Sequence, residues 1–407
     1  MSLRRGMREP VEENPADDLR LPRPMRDFAL EVFFSKWEFA ARYNLSGSDS
    51  ESLSIAEVLA MASPEERAEF ESTRLGYTET FGSPALRDAI ARTYEAVDAG
   101  HLLCFAGAEE AIYTSMRVLL TRGDHAIVIT PNYQAAETVP LGLCEVTGVP
   151  LDAERGWELD LDRLRAALRP NTTLISINFP NNPTGKILSR AVFDGIVDIC
   201  RERGLWLFSD EVYRLIERDP SRRLPQAVDA YERGVSLNVM SKAYGLAGLR
   251  IGWLACRDRE LLVRFERYKH FLSICNSAPS EVLARIALDN RERILGRNRA
   301  IVRDNLAVLE KFFAGHEGLF DWRVPDGGCI GFIRYEGAEG VEEFTRRLVE
   351  EAGVLLLPSS VYRSDLGPVP QNYFRIGFGR LLVPRAIEAL AAWLESKQGR
   401  DATGGRR

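Results

Sequence analysis

The sequence predicts an α/β protein: a mainly parallel sheet flanked by helices, joined to a smaller α+β domain. Three observations lead there. Between residues 84 and 256, short runs that are apolar nearly throughout alternate with helix-patterned text, as strands covered on both faces require. After Pro279 the text turns to long helices and then to a mixed tail. The chain's 407 residues also exceed the size at which one core keeps growing.

In chain order, the opening MSLRRGMREPVEENPADDLRLP mixes both charge signs with three prolines and predicts a loosely ordered arm over residues 1–29. Helical periodicity marks Leu86–Val97, Glu109–Leu120 and Arg190–Arg203. The intervening apolar runs predict strands at Ala126–Thr130, Leu174–Phe179, Leu205–Phe208, Val235–Val239 and Ile251–Ala255. Glu281–Phe313 reads as long helix. Beyond it come a helix near Val341–Ala352, strands near Val354–Leu357 and Tyr373–Gly379, and a last helix near Pro384–Glu395. The polar, Gly-rich residues 399–407 predict a disordered tail.

Composition excludes several function classes. A net charge of −6, with arginines spread through helices, offers no basic field for nucleic acid. No segment approaches the ~18 apolar residues of a membrane span. Six scattered cysteines without a C-x-x-C pair predict a reduced, cytoplasmic protein. Four histidines with no helical pairing argue against a metal site.

Ligands of open parallel sheets bind beyond the carboxyl ends of the strands. Three motifs fall there: Asn178-Phe-Pro-Asn-Asn182-Pro-Thr-Gly185, Ser209-Asp210-Glu-Val-Tyr213 and Met240-Ser241-Lys242-Ala-Tyr-Gly. Together they bring an amine, a carboxylate, a phenol and an amide to one crevice. Singly, each is an ordinary turn, cap or core residue.

In this order, from about Leu75 to Gly379, the motifs resemble those of the class I and II aminotransferases, the pyridoxal-phosphate family of aspartate aminotransferase fold (fold type I). The resemblance implies pyridoxal 5'-phosphate as cofactor, an amino acid and a 2-oxo acid as substrates, and a homodimer. It also implies a large cofactor-binding domain over 71–279, an interdomain helix and small domain over 280–398, and a contribution of 30–70 to the arm and small domain.

Lys242 matches the family's Schiff-base lysine, and Asp210 the aspartate facing the pyridine nitrogen, where a carboxylate favours the protonated ring. Tyr213 and Asn182 match the pair on the ring's phenolic oxygen, and Tyr133 the aromatic stacked on the ring. For the phosphate, the resemblance implies the amides of Ala108 and Glu109 at a helix start, the Ser241 hydroxyl and the Arg250 guanidinium. Glu109 is expected to turn its carboxylate away from that anion. Tyr77 resembles the tyrosine that reaches the neighbouring subunit's phosphate, and Arg375 the arginine that grips the substrate α-carboxylate. Val239 stands where many relatives place Ser or Gly.

The N-terminal segment departs from the common pattern. Tyr43-Asn-Leu-Ser46-Gly47-Ser-Asp49-Ser-Glu51 stands where typical members line the substrate pocket, which makes Gly47 a candidate substrate contact. Leu30–Phe39 is similar to the arm of a subgroup that includes capreomycidine synthase, a cyclase acting on hydroxylated arginine, and in that light Asp49 and Glu51 are candidates to face a cationic tail, although acidic residues in a Ser-rich loop are ordinarily solvated. Transamination is the leading expectation; elimination with cyclisation on an arginine-like amino acid is the alternative. A cofactor-sensing transcription regulator is disfavoured, since no basic DNA-binding domain fits ahead of residue 30.

Overall fold

The computed structural model describes residues 25–404. Most of the expected loose arm and the last three residues of the expected tail therefore lie outside the described residues. The central feature is a seven-stranded sheet. Its strands, in chain order, are β1 (Leu102–Phe105), β2 (His125–Thr130), β3 (Glu145–Pro150), β4 (Thr172–Asn178), β5 (Trp206–Asp210), β6 (Gly234–Val239) and β7 (Gly252–Cys256). Their order across the sheet is β1-β7-β6-β5-β4-β2-β3, and only β7 runs antiparallel to its neighbours.

Successive residues feed opposite layers. Ile127, Ile129, Ile175, Ile177 and Leu207 pack with Phe193, Ile196 and Cys200 of the helix Arg190–Arg203. Ala126, Leu174, Phe208, Val235 and Leu237 pack with Ala111, Ile112 and Met116 of the helix Ala108–Leu119. Both faces are dry, which is why these strands carry no polar alternation.

Two strands of the large sheet escaped prediction, as did Phe320–Asp321 and Ile330–Tyr335 of the smaller one and Tyr43–Asn44. β1 is only four residues long, and β3 lies at the sheet edge, where its mostly part-exposed sequence EVTGVP has one face to cover at most. The long helix expected over Glu281–Phe313 is two, Ala278–Asp289 and Arg291–Ala314. They part at Asn290, whose side chain donates to the Ile286 carbonyl at 2.9 Å and competes with the helix ladder.

The smaller sheet comprises β8 (Phe320–Asp321), β9 (Ile330–Tyr335), β10 (Leu357–Pro358) and β11 (Tyr373–Gly377), antiparallel in the order β10-β11-β9-β8. The run expected as one strand over Val354–Leu357 splits: Val354–Leu355 pairs in parallel with Tyr43–Asn44, and Leu357–Pro358 joins the smaller sheet. The last helix, Val383–Gly404, extends beyond the expected end at Glu395.

The segment 45–51 threads between the two sheets. The Gly377 N–H donates to Leu45 O (2.7 Å), Glu51 N–H to Gly379 O (2.8 Å) and Ser50 N–H to Lys242 O (3.2 Å). Gly377 is required here, because a Cβ would collide with the Gly47 carbonyl.

Candidate active site

Every strand of the large sheet that leads into a predicted motif does so at the same edge. β1 runs toward Gly107 and Ala108, β2 toward Tyr133, β4 toward Asn182, β5 into Asp210 and Tyr213, and β6 toward Ser241 and Lys242. One cleft is lined by all of these except Gly107, and by Asn178, Val239 and Arg250.

Asp210 ends β5 and is 8% exposed. Its Oδ1 accepts from the Val212 N–H at 3.2 Å, and its carbonyl accepts from Asn178 Nδ2 at 3.0 Å, so the carboxyl is held in the cleft wall. Burial pushes its pKa up to about 6; the Val212 N–H and the Lys242 ammonium only partly offset this. A cation beside it would restore the ionised form.

Lys242 donates from Nζ to Ser48 Oγ at 2.8 Å, and Nζ lies 6.0 Å from the Tyr213 ring centre. Burial holds its pKa below the usual lysine value, although nearby Asp49 pulls the other way. Tyr213 is 1% exposed, and its hydroxyl has no hydrogen-bond partner among the described residues. At the cleft wall and near Ser48, this hydroxyl is placed to donate to an oxygen of a bound group.

Arg375, on β11, is fully buried. Nη1 donates to Tyr362 Oη (2.7 Å) and Asn182 Oδ1 (3.2 Å), Nη2 donates to the Ser46 carbonyl (2.7 Å), and Nε has no partner among the described residues. Tyr362 Oη in turn donates to Asn182 Oδ1 at 2.9 Å. All three acceptors are neutral oxygens, so this guanidinium is buried without a counter-ion among the described residues.

Arg375 does not itself line the cleft and meets it through Asn182. Beside the cleft, Gly107 adopts φ +101° and precedes the first turn of the helix Ala108–Leu119. A Cβ on Gly107 would strike the Arg250 guanidinium, so only glycine leaves the arginine beside the helix start. Arg250 donates to the Ala247 carbonyl at 3.1 Å. Its other polar contacts are likewise main-chain, leaving its charge available.

Glu109 lines the cleft. Its residue surface opens onto the cleft, but its carboxyl lies beside the Tyr133 phenol, surrounded closely enough that desolvation pushes its pKa up to about 7. Tyr133 itself packs at 5.0 Å, tilted, against Phe28 of the arm.

Asp49 accepts from Arg380 at 2.7 and 3.1 Å, and Glu51 accepts from the Leu381 N–H at 2.7 Å. Both carboxylates tie the 45–51 segment to the turn after β11, so they are not free for a cationic tail. Gly47 lies against Gly377 and outside the cleft lining, while its neighbours Ser46 and Ser48 make the contacts to Arg375 and Lys242. Tyr77 is 90% exposed and far from lining this chain's own cleft. Sequence reasoning missed Ser48, Tyr362 and Glu31. Nothing local to Ser-Ser-Val-Tyr362 indicates that its phenol meets Arg375.

This sheet and cleft define a pyridoxal-phosphate-dependent enzyme of aspartate aminotransferase-like fold. More specifically, the chain belongs to the class I and II aminotransferase family, whose model matches residues 44–390. It is similar to a pyridoxal-phosphate-dependent aminotransferase of Streptococcus suis, with 31% identity, a TM-score of 0.85, and coverage of 92% of this chain and 99% of that one. Capreomycidine synthase of Streptomyces vinaceus is 27% identical over 393 residues, 94% of this chain and 95% of that protein. Arginine–pyruvate transaminase of Pseudomonas aeruginosa is 31% identical over 317 residues, 74% and 77% of the two chains. The residues present fit the cofactor: the unmatched Tyr213 hydroxyl, the buried Asp210 carboxyl and the Gly107–Arg250 corner are complementary to a phenolic oxygen, a basic ring nitrogen and a phosphate. Among the described residues no helix is long and apolar enough to cross a membrane.

Proposed function

We propose that the protein is an aminotransferase that moves the α-amino group of an amino acid to a 2-oxo acid. The observation that carries this reading is Arg375, a fully buried guanidinium held by three neutral oxygens. A buried charge without a partner is costly, and an incoming α-carboxylate supplies the missing anion as a bidentate pair.

When bound, pyridoxal phosphate supplies an aldehyde that takes up amines and a ring that accepts the electron pair released at Cα. The rest falls to side chains. Lys242 is the proton carrier: burial lowers its pKa, so the neutral amine that can take a proton from Cα is populated nearer neutral pH. Ser48 fixes its Nζ. Asp210 would meet the ring nitrogen, Tyr213 and Asn182 the ring oxygen, and Tyr133 the ring face. The amides of Ala108 and Glu109, the Ser241 hydroxyl and Arg250 hold the phosphate. By gripping the carboxylate, Arg375 would orient the amino acid so that its Cα–H bond, and not the bond to the carboxylate, is the one exposed to Lys242. The 45–51 segment, with Gly47 at its centre, closes the substrate side.

The active unit in this reading is a homodimer, with large and small domains at 71–279 and 280–398 and with Tyr77 serving the neighbouring site. Support comes from the exposed apolar side chains around Tyr77: Leu75 is 86% exposed and Phe271 87%. Thr78 Oγ1 donates to Asn276 O at 3.0 Å, which sets these two loops side by side.

A second reading, elimination with cyclisation on an arginine-like amino acid, is favoured by one observation. The likeness to capreomycidine synthase spans the arm, whereas that to arginine–pyruvate transaminase covers only about three quarters of the chain. Incubation of the purified holoenzyme with amino acids, followed by mass identification, separates the two. A 2-oxo acid product supports transfer; loss of water with the amino group retained overturns it in favour of elimination.

A further inference from the structure

We propose that Glu110 is a positioning residue that holds the phosphate corner in its binding shape and ties it to the exposed loop 271–276. The inference rests on the reading above, in which the amides at this helix start and Arg250 take the phosphate, and deepens it by naming what holds them. Glu110 is the third residue of the helix Ala108–Leu119 and lies outside the cleft lining. Its Oε2 accepts from the Ala106 N–H at 2.7 Å, and its Oε1 accepts from the Ser273 N–H at 3.0 Å. Both carboxylate oxygens are therefore engaged by main chain, one on the turn before the helix and one on a loop 163 residues further along.

The turn needs such a hold. Gly107 supplies no capping side chain, and glycine loses more backbone freedom on ordering than any other residue. Left untethered, it would have to be ordered by the phosphate itself, which weakens binding. Ala106 is instead held at both ends, its N–H by Glu110 and its carbonyl by Arg250 Nη2 at 3.5 Å. Behind it, the fully buried Lys269 donates to Cys104 O of β1 at 2.8 Å and to Thr80 O at 2.7 Å. The Lys269 carbonyl accepts from the N–H groups of Leu272 (2.9 Å) and Ile274 (3.2 Å), which curls the loop around Ser273. Ile274 there takes φ +66°, a conformation that a β-branched residue keeps only where its surroundings impose it. Glu110 thus bridges a constrained loop and the phosphate corner. By reciprocity, whatever orders one side favours order on the other.

The test compares two ligands that differ only in the phosphate. Pyridoxal phosphate and pyridoxal are titrated into the full chain stripped of cofactor, in the wild type, Glu110→Gln and Glu110→Ala, with Arg250→Ala as control. Glu110→Ala is expected to weaken pyridoxal phosphate about tenfold, on the scale of one charge-assisted hydrogen bond, and to leave pyridoxal within about twofold. Glu110→Gln, which keeps one acceptor oxygen, is expected to fall between Glu110→Ala and the wild type. In the wild type, amide hydrogen exchange over 271–276 is expected to slow about two- to tenfold more with pyridoxal phosphate than with pyridoxal, a difference that Glu110→Ala abolishes. Equal weakening of both ligands, unchanged affinity for both, or loop exchange indifferent to the phosphate overturns the proposal. Should Glu110→Ala fail to fold, Glu110→Gln decides by the same two readouts. The control separates the proposal from its basis. Selective loss of pyridoxal phosphate in Arg250→Ala alone removes Glu110 and leaves the phosphate corner standing, whereas no selective loss in any variant removes both.

Discussion

Arg375 Nη1 donates to the hydroxyl of Tyr362 at 2.7 Å, and the same hydroxyl donates onward to Asn182 at 2.9 Å. The phenol thus fixes the guanidinium against a residue that itself lines the cofactor cleft. This couples carboxylate recognition to the place where chemistry occurs.

Tyr362→Phe removes one neutral hydrogen bond to Arg375 and keeps the ring. The Michaelis constant for the amino acid is expected to rise about two- to tenfold, with cofactor affinity unchanged. Arg375→Ala is expected to raise it far more. Steady-state kinetics beside cofactor titrations check both, and equal losses of substrate and cofactor binding would count against the carboxylate role.

Lys242→Ala is expected to lower turnover by about 10²-fold to 10⁴-fold or more, because no other amine lines the cleft to carry the proton. Ser48→Ala is expected to cost much less and to move the basic limb of the pH profile, since Ser48 accepts the Lys242 hydrogen bond. Full turnover by the Lys242 variant would end the assignment.

The cofactor-free protein is expected to lose stability as pH rises from about 4 to 6. Asp210 has a folded pKa of about 6 against an ordinary 3.8, so in that window the native state holds more protons than the unfolded chain. Stability is complete below the ordinary value and lost as pH climbs through the folded one, by at most about 3 kcal/mol. Asp210→Asn should therefore raise the apoprotein Tm at pH 7 to 8 while weakening cofactor retention. A lowered apoprotein Tm would show that the carboxylate is stabilised by something not identified.

In solution the protein is expected to sediment as a dimer. Tyr77→Phe should preserve that mass and loosen the cofactor about two- to tenfold, the worth of one hydrogen bond. A fully active monomer would remove Tyr77 from the site.

The core strands were legible because β2, β4, β5 and β6 are dry on both faces, and an uninterrupted apolar run has few other uses. β3 was not, because an edge strand tolerates polar residues and glycine. Lys242, Asp210, Tyr213 and Asn182 stood out because strand ends bearing their motifs converge in any parallel sheet, and their order along the chain is specific.

What the sequence determined by itself is the two-face-buried sheet and the set of reactive groups at its carboxyl edge, since periodicity and strand order are local properties. Only the tertiary structure decided which charges are satisfied. Asp49 and Glu51 looked available and are taken by Arg380 and the Leu381 amide. Glu31, which no sequence motif singled out, is brought to the cleft by the packing of the arm helix. The physical reason is that pairing depends on through-space distance between segments hundreds of residues apart, which no local pattern encodes.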